Sequence, residues 1–158
     1  MEKIFIGIDP GFSGGIAIYS PENDSIRAIN MPKTPRDIYD FLKGVKEYAE
    51  RGSCSLHCMM EDVGHGMPGQ SSSATAKFAR HNGHLEMALL ALCIPTETIT
   101  PQKWQKAFQL GKSSDYTKTQ WKNRLKAKAQ QLFSYASSKI TLSTCDAMLL
   151  AEYARRRG

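Results

Sequence analysis

Three acidic residues, Asp9, Glu61 and Asp146, stand where carboxylates can do chemistry. Asp9 directly follows the apolar run Ile4–Ile8, Glu61 ends the segment SLHCMME, and Asp146 precedes the apolar run AMLLA. Side chains at the ends of neighbouring strands can converge at one sheet edge, where a helix start can join them. Clustered carboxylates repel each other unless a cation neutralises them. Hard oxygen ligands in small number suit Mg²⁺ or Mn²⁺, and such sites commonly handle phosphates.

Each of these acids also has a purely structural interpretation. The tripeptide DPG at Asp9 is a strong turn signal without any chemistry. Glu61 is followed by Asp62, and because strand side chains alternate, only one of the two can face a site. The segment STCD fits a capping box with Ser143 as N-cap and Asp146 three residues later. An acid in a first helical turn also interacts favourably with the helix dipole.

The elements that must position these acids follow an order typical of an α/β fold. Three strands form an antiparallel meander, and helices then alternate with two further strands before the chain ends in helices. We therefore expect a mixed five-stranded sheet with helices on both faces, in a single domain spanning residues 1–158. The predicted strands are Ile4–Ile8, Ile16–Tyr19, Ile26–Asn30, Ser55–Val63 and Ile94–Thr100. The predicted helices are Pro35–Arg51, with Thr34 as cap and Gly52 as stop, then Ser71–Leu92, Pro101–Phe108, Gln120–Phe133 and Thr144–Arg157.

Composition narrows the class of protein. The apolar stretches are far shorter than the roughly 18 residues of a membrane span, and no signal-peptide pattern begins the chain. We therefore expect a soluble cytoplasmic protein with no membrane partner. The four cysteines form no C-x-x-C pair. CSLHC lacks the second pair of ligands that a zinc site needs, and no carboxylate triad lies near His81 and His84 in the sequence, so neither pattern favours a metal site.

Positive charge is concentrated at the end of the chain. From Pro101 onward there are 12 Lys and Arg against three acids, whereas residues 1–100 carry nine bases and 12 acids. Such asymmetry indicates a polyanionic partner, nucleic acid first, although a solvated helix face is the plain alternative. The residues expected to contact the nucleic acid backbone are Lys103, Lys106, Lys112, Lys118, Lys122, Arg124, Lys126 and Lys128.

Several motifs together resemble one family. IGIDPGFSGGIA resembles the opening motif of the RuvC-like Holliday-junction resolvases, a branch of the RNase H-like nuclease superfamily. MMEDV resembles the second acidic strand of that family, and CDAMLLAEYARR its last acidic helix. TPQKWQKAF and KNRLKAKAQQLF resemble segments of its phage and phage-like bacterial members. The likeness runs in the right order from Lys3 to Arg156.

The resemblance implies an endonuclease that cuts four-way DNA junctions symmetrically as a homodimer, leaving a 5′-phosphate and a 3′-hydroxyl. It implies two Mg²⁺ or Mn²⁺ ions in each site and no small-molecule cofactor. Asp9 would bridge both ions, and Glu61 and Asp146 would each hold one. Lys122, with Lys118 as the other candidate, would contact the phosphate.

This sequence departs from the family pattern at two places. A further acid is expected three or four residues before Asp146, where Ser143 and Leu142 stand. An aromatic residue expected three positions after the second acid is replaced by Gly64, with His65 or Met67 nearby.

A second hypothesis is therefore a module that binds junctions without cutting them. An actin-like phosphotransferase, which GIDPGFSGG also resembles, needs two such domains, and this chain is too short for both. We expect the dimer to form through the helix Ser71–Leu92.

Overall fold

The computed structural model of the chain describes residues 1–64 and 69–158. Its sheet has five strands in the order β3-β2-β1-β4-β5. The strands are β1 (Lys3–Asp9), β2 (Gly15–Ser20), β3 (Ser25–Asn30), β4 (Ser55–Glu61) and β5 (Thr96–Ile99). β2 pairs antiparallel with both β1 and β3, whereas β4 pairs parallel with both β1 and β5. The mixed sheet expected from the sequence is confirmed.

Local signals in the sequence determine where the helices begin. The Thr34 side chain accepts a hydrogen bond from the Asp37 amide, and Thr117 forms a capping box with Gln120. Because Gln120 is the third residue of its helix, that helix begins two residues before the predicted start. The helices are α1 (Pro35–Arg51), α2 (Ser72–Ala91), α3 (Pro101–Lys106), α4 (Lys118–Leu132) and α5 (Cys145–Arg157). Within the described residues, no helix is long and apolar enough to cross a membrane.

Helices cover both faces of the sheet, as expected. Ile4, Ile6 and Ile8 of β1 share a buried cluster with residues of α1 and α2. Phe5, on the other face of the same strand, belongs to a second cluster built largely from α3, α4 and α5. Burying each such side chain contributes about 1.5–3 kcal/mol, so the two clusters hold β1 firmly at the centre of the sheet.

The strand register brings two acids to the same edge of the sheet. Asp9, the last residue of β1, pairs with Gly15, and Gly15 pairs with Asn30. The parallel pairing of β1 with β4 matches Ile8 with Met60, which puts Glu61 beside Asp9. Ile8 and Met60 point toward α1 and α2. Because side chains alternate along a strand, Asp9 and Glu61 point to the opposite face, toward α5.

Helix α5 lies directly against the backbone of β1 because Gly7 has no side chain. A methyl group added to Gly7 would stand 1.9 Å from the carbonyl oxygen of Ala147 and 2.5 Å from the amide nitrogen of Ala151. Gly15 of β2 is also close to the residues just before this helix, since an added methyl would stand 2.8 Å from the Ser143 carbonyl oxygen. These two glycines let the first turn of α5 reach the sheet edge.

Candidate active site

Asp146 lies in the first turn of α5 and is only 8% exposed. Its Oδ2 accepts a hydrogen bond of 2.8 Å from Lys122 Nζ of α4. The alternative interpretation of STCD as a capping box is wrong. The N-cap of α5 is Thr144, and the Thr144 hydroxyl accepts a hydrogen bond from the Thr141 amide. The Asp146 carboxylate therefore contacts a lysine and not the turn that starts its helix.

Glu61 is buried at the end of β4, and Trp104 of α3 holds one of its oxygens. Trp104 Nε1 donates a hydrogen bond of 2.7 Å to Glu61 Oε2. Burial raises the pKa of Glu61 to about 7, although the bond from Trp104 favours the ionised form. Oε1 accepts no hydrogen bond from the described residues, so one carboxylate oxygen is fixed and the other is available to a ligand.

Asp9 interacts electrostatically with both of the other acids. Burial, followed by the negative charges of Asp146 and Glu61, raises the pKa of Asp9 to about 8, and the positive charge of Lys122 opposes these effects. Its carboxylate accepts no hydrogen bond from any described residue. The structure thus brings together four of the residues singled out in the sequence: Asp9, Glu61, Lys122 and Asp146.

Lys122 is the positive charge of this cluster. Burial lowers the pKa of its ammonium, but the ion pair and hydrogen bond with Asp146 outweigh burial and leave the pKa raised. The lysine is therefore charged at neutral pH. Lys118, the other candidate, is the first residue of α4 and is exposed. Of the two lysines, Lys122 is the one in contact with the acids.

The remaining predicted DNA-binding residues have different surroundings. Lys103, Lys106 and Lys112 are exposed, and Lys126 and Lys128 are half-buried on α4. Arg124 differs, because its guanidinium donates two hydrogen bonds to the Leu110 carbonyl and lies 4.6 Å from the ring centre of Tyr116. Arg124 therefore fastens the loop before α4 to that helix. Arg124 could contact DNA only through a guanidinium that already bonds to the Leu110 carbonyl and stacks on Tyr116.

The donor set fits a divalent cation in its chemistry. When all three carboxylates are ionised, they outnumber the single ammonium of Lys122, and the raised pKa values of Asp9 and Glu61 show that this excess of negative charge is costly without a cation. Free oxygens of Asp9 and Glu61 are the hard ligands that Mg²⁺ and Mn²⁺ prefer. Within the described residues, however, no three such side chains are close enough to hold one ion together. In this conformation Lys122 provides the positive charge beside Asp146, so ion binding requires the side chains to draw closer.

In the described part of the chain, the other residues considered as possible metal ligands or stacking residues form no hydrogen bond with the carboxylates of the three acids. Ser143 is half-buried one residue before the N-cap of α5, and Leu142 is exposed. Asp62 accepts a hydrogen bond from the Gly64 amide. His65 and Met67 lie outside the described residues.

The histidines of the two zinc patterns considered in the sequence have surroundings other than a zinc site. His57 and Cys58 point to opposite faces of β4, and the His57 ring pairs with Glu97 at 2.8 Å. His81 and His84 lie on α2 beside a cavity. Neither pattern belongs to a group of three possible metal ligands in the described part of the chain.

Sequence reasoning missed Trp104. The segment TPQKWQKAF was singled out for its likeness to a family, but nothing in its spacing indicates that the indole would meet Glu61. The two residues are 43 positions apart and meet because α3 directly follows β5, the neighbour of β4. In the sequence, only the residue type could have indicated this contact. A Trp N–H needs a hydrogen-bond partner when its ring is buried, and the structure shows that Trp104 is fully buried.

The fold is similar to that of solved RuvC structures. "T. thermophilus RuvC in complex with Holliday junction substrate" matches with a TM-score of 0.58 and 12% identity, covering 99% of this chain and 96% of that chain. "Thermus thermophilus RuvC structure" matches with a TM-score of 0.56 and 11% identity, covering 98% and 96%. No protein-family model matches the chain, and no curated protein sequence is significantly similar to it. The likeness shows that the chain has the RNase H-like fold of RuvC, as expected from the sequence.

Proposed function

We propose that this protein is a metal-dependent endonuclease that cuts four-way DNA junctions in recombination and repair. The observation that carries the proposal is the group of three carboxylates at one edge of the sheet, the half-buried Asp9 and the buried Glu61 and Asp146, together with Lys122. DNA is the proposed substrate because one structural neighbour is described in complex with a Holliday junction substrate. The basic last third of the chain supports a polyanionic partner.

In the proposed mechanism, Asp9, Glu61 and Asp146 hold two Mg²⁺ or Mn²⁺ ions. Bound divalent ions supply an activated water and stabilise the leaving 3′ oxygen. Asp9 would be the acid shared by the two ions, and its electrostatic interaction with each of the other acids supports this role. Trp104 holds Glu61 Oε2, so that Oε1 faces the ligand. Lys122, which bonds to Asp146 in this structure, would be the residue to contact the negative charge that develops on the phosphate.

The remaining surface would hold the junction through its phosphates. The exposed lysines of α3 and of the loop after it, with Lys118 at the start of α4, lie along the chain segment with excess positive charge. Contacts to phosphate position DNA without reading its sequence. Symmetric cutting needs two sites, so we propose a homodimer, since a two-fold pair is the commonest arrangement. We propose a single nuclease domain over residues 1–158, acting in the cytoplasm.

The test is cleavage of a labelled four-way junction beside a linear duplex, with Mg²⁺ or Mn²⁺ and with EDTA. We expect cleavage of the junction alone, and only with the metal. Asp9→Asn and Glu61→Gln should each lower the rate at least about a hundredfold, because each removes a charge that the ions need. Junction binding should remain in both variants, since affinity comes mainly from phosphate contacts and falls steeply as salt rises.

Asp62→Asn is the matched control for Glu61→Gln. Asp62 adjoins Glu61 in the chain, but its Oδ1 accepts a bond from the Gly64 amide, so its loss should leave cleavage unchanged. Normal cleavage by Asp9→Asn or Glu61→Gln would refute the proposed site.

A junction-binding protein that does not cut is the second candidate. The observation that favours it is the ion pair of Lys122 with Asp146, together with Ser143 where the family resemblance predicts an acid. This candidate predicts tight, junction-selective binding with no product at any Mg²⁺ or Mn²⁺ concentration. Cleavage that disappears in Asp9→Asn would exclude it.

A further inference from the structure

A cavity lies on the side of the sheet edge opposite to the acids. It has a volume of about 370 Å³ and is bounded by the turn after β1, the start of α1 and the first half of α2. Its size falls within the range of small-ligand pockets. The residues that matter for its chemistry are Phe12, Lys33, Lys77, Arg80, His81 and His84.

Phe12 is an exposed aromatic ring at the mouth of this cavity. It follows Asp9 by three residues and is 65% exposed. Its ring centre is 4.9 Å from that of His81, with the planes inclined by 36°. One side of the ring is thus supported, while much of its apolar surface faces solvent. An aromatic ring held in this way offers a platform on which another planar group can stack.

The charged side chains among the described residues that line the cavity are all positive. Lys33, Lys77 and Arg80 are exposed, and none of them forms an ion pair with a described residue. No Asp or Glu is among the described residues that line the cavity. These cations come from the part of the chain in which acids outnumber bases, so the charge is local. An anion, with phosphate as the obvious group, is the complementary ligand.

A buried polar atom beside the cavity has no partner. His81 is 4% exposed, and its Nε2 forms no hydrogen bond with any described residue. Burial, with a smaller effect of His84, lowers the pKa of the His81 ring, which is therefore neutral at neutral pH. Buried polar atoms are nearly always hydrogen-bonded, so an orphaned nitrogen points to a missing partner.

The geometry points to a binding subsite for one unpaired nucleotide of a DNA strand, with its base stacked on Phe12 and its phosphate between Lys33, Lys77 and Arg80. Stacking on an aromatic ring beside a basic groove is how proteins bind single strands without regard to sequence. The turn that carries Phe12 begins at Asp9, so a strand that crosses the catalytic edge continues into the cavity. The choice of DNA as ligand rests on the proposed function, whereas the subsite itself rests on the geometry.

The test is binding of labelled DNA in EDTA, where no cleavage takes place. The probes are a four-way junction, an oligothymidylate and a duplex of the same length, each followed by fluorescence anisotropy. Phe12→Ala should weaken binding of the oligothymidylate and the junction roughly tenfold or more, with little effect on the duplex. Phe12→Trp should retain the affinity, because it keeps a stacking surface. Lys77→Gln combined with Arg80→Gln should weaken the same two probes and lower the salt dependence of binding.

Lys43→Gln is the control for the charge variant. Lys43 is an exposed lysine of α1 that pairs with Glu47 and does not line the cavity, so its loss should leave all three affinities unchanged. Equal binding by Phe12→Ala, Phe12→Trp and the unaltered protein would overturn the subsite. A loss in Phe12→Ala that is equal for duplex and single strand would overturn the assignment to an unpaired nucleotide. Failure of the unaltered protein to bind any of the probes would overturn the subsite and the proposed function together, whereas junction binding without an effect of Phe12 would overturn the subsite alone.

Discussion

Asp9 is half-buried beside two like charges, and this makes the stability of the folded chain sensitive to pH. Its pKa is raised from 3.8 to about 8, first by burial and then by Asp146 and Glu61. The folded chain therefore binds this proton more tightly than the unfolded chain does. The resulting stabilisation is complete below about pH 4 and is lost progressively as the pH rises through about 8.

Asp9→Asn removes this charge without changing the shape of the side chain. In EDTA we expect the variant to melt at a higher temperature than the unaltered protein. The advantage should grow between about pH 4 and pH 8 and reach several degrees. Added Mg²⁺ should reduce it, because cations neutralise the carboxylate. Thermal unfolding across pH is the measurement, with Asp62→Asn as the control. A difference in melting temperature that does not vary with pH would mean that burial and the neighbouring acids do not raise the pKa of Asp9.

Ser143 is the residue at which an added acid has the clearest expected effect. Two divalent ions carry four positive charges, and Asp9, Glu61 and Asp146 supply only three negative ones. Ser143 lies just before the N-cap of α5, where a negative charge also interacts favourably with the helix dipole. We expect Ser143→Asp to lower the Mg²⁺ concentration for half-maximal cleavage at least about threefold, since a carboxylate adds a hard ligand. In EDTA it should lower the melting temperature, because it adds a like charge.

The measurement for Ser143→Asp is the cleavage rate against Mg²⁺ concentration on one junction. Leu142→Asp is the matched variant, because position 142 is the other place where the missing acid could stand. An unchanged metal requirement in Ser143→Asp with a lower one in Leu142→Asp would assign the ligand position to 142.

At the scale of residues, the sequence predicted the acids better than their partners. Asp9 and Glu61 could be paired because strand ends and side-chain alternation follow simple rules. Trp104 was missed, because its contact with Glu61 depends on how α3 packs after β5. Arg124 was expected on DNA, but its guanidinium is bonded to the Leu110 carbonyl, a contact that charge counting cannot reveal.

At the scale of elements, the contact of α5 with β1 decides whether Asp146 reaches the site. Gly7→Ala would put a methyl group 1.9 Å from the Ala147 carbonyl oxygen, where only backbone atoms could yield. We expect this variant to lose roughly 3 kcal/mol or more of unfolding free energy, as in severe overpacking. Urea denaturation measures the loss.

Gly44→Ala is the control for Gly7→Ala. Gly44 lies within α1, and an added methyl would meet nothing within 4 Å. Alanine there should stabilise the helix by up to about 1 kcal/mol. Equal stability of the two variants would contradict the close packing of α5 on the sheet.

Within the described residues, the predicted strands and α-helices agree with the observed ones in number and differ mainly at their ends, whereas three short 3-10 helices were not predicted. Hydrophobic periodicity and capping residues predicted α1 and α2 within about a residue. The fourth strand was predicted to Val63, whereas β4 ends at Glu61, because β5 pairs with it only as far as Ile99 opposite Glu61. The end of a strand depends on its neighbour, which a single sequence does not display.

At the scale of the whole molecule, one face of α2 supports the proposed dimer. Met87 and Leu90 are 61% and 71% exposed and lie three residues apart, so they share a face of the helix. We expect Leu90→Lys to raise the dissociation constant of the dimer at least about tenfold, because it puts a charge into an apolar contact. Sedimentation at several concentrations measures this.

Tyr48→Lys is the control for the dimer, since Tyr48 is 59% exposed on α1 and outside the proposed interface. It should sediment like the unaltered protein. A chain that is monomeric before any substitution, with junction cleavage intact, would overturn the dimer.

Counting charges along the sequence located only part of the basic surface. The count assigned the positive excess to the residues after Pro101, and the exposed lysines of α3 and α4 agree with it. Lys33 precedes α1, whereas Lys77 and Arg80 lie on α2, all within residues 1–100, where acids outnumber bases, and folding brings the three to one cavity. A cluster made from distant segments leaves no trace in a running count.

The bond between Trp104 and Glu61 gives the protein an optical signal of its own. The chain has two tryptophans, and Trp121 bonds to Gln105, away from the acids. In a Trp121→Phe variant, all indole emission would come from the ring that touches a carboxylate of the site. Titration with Mg²⁺ should then change the intensity or wavelength of that emission, and the change should be lost in a variant that also carries Asp9→Asn. An emission spectrum that ignores Mg²⁺ would mean that the ion binds elsewhere. Metal occupancy would thus be visible by fluorescence in the absence of DNA, and separable from every later step.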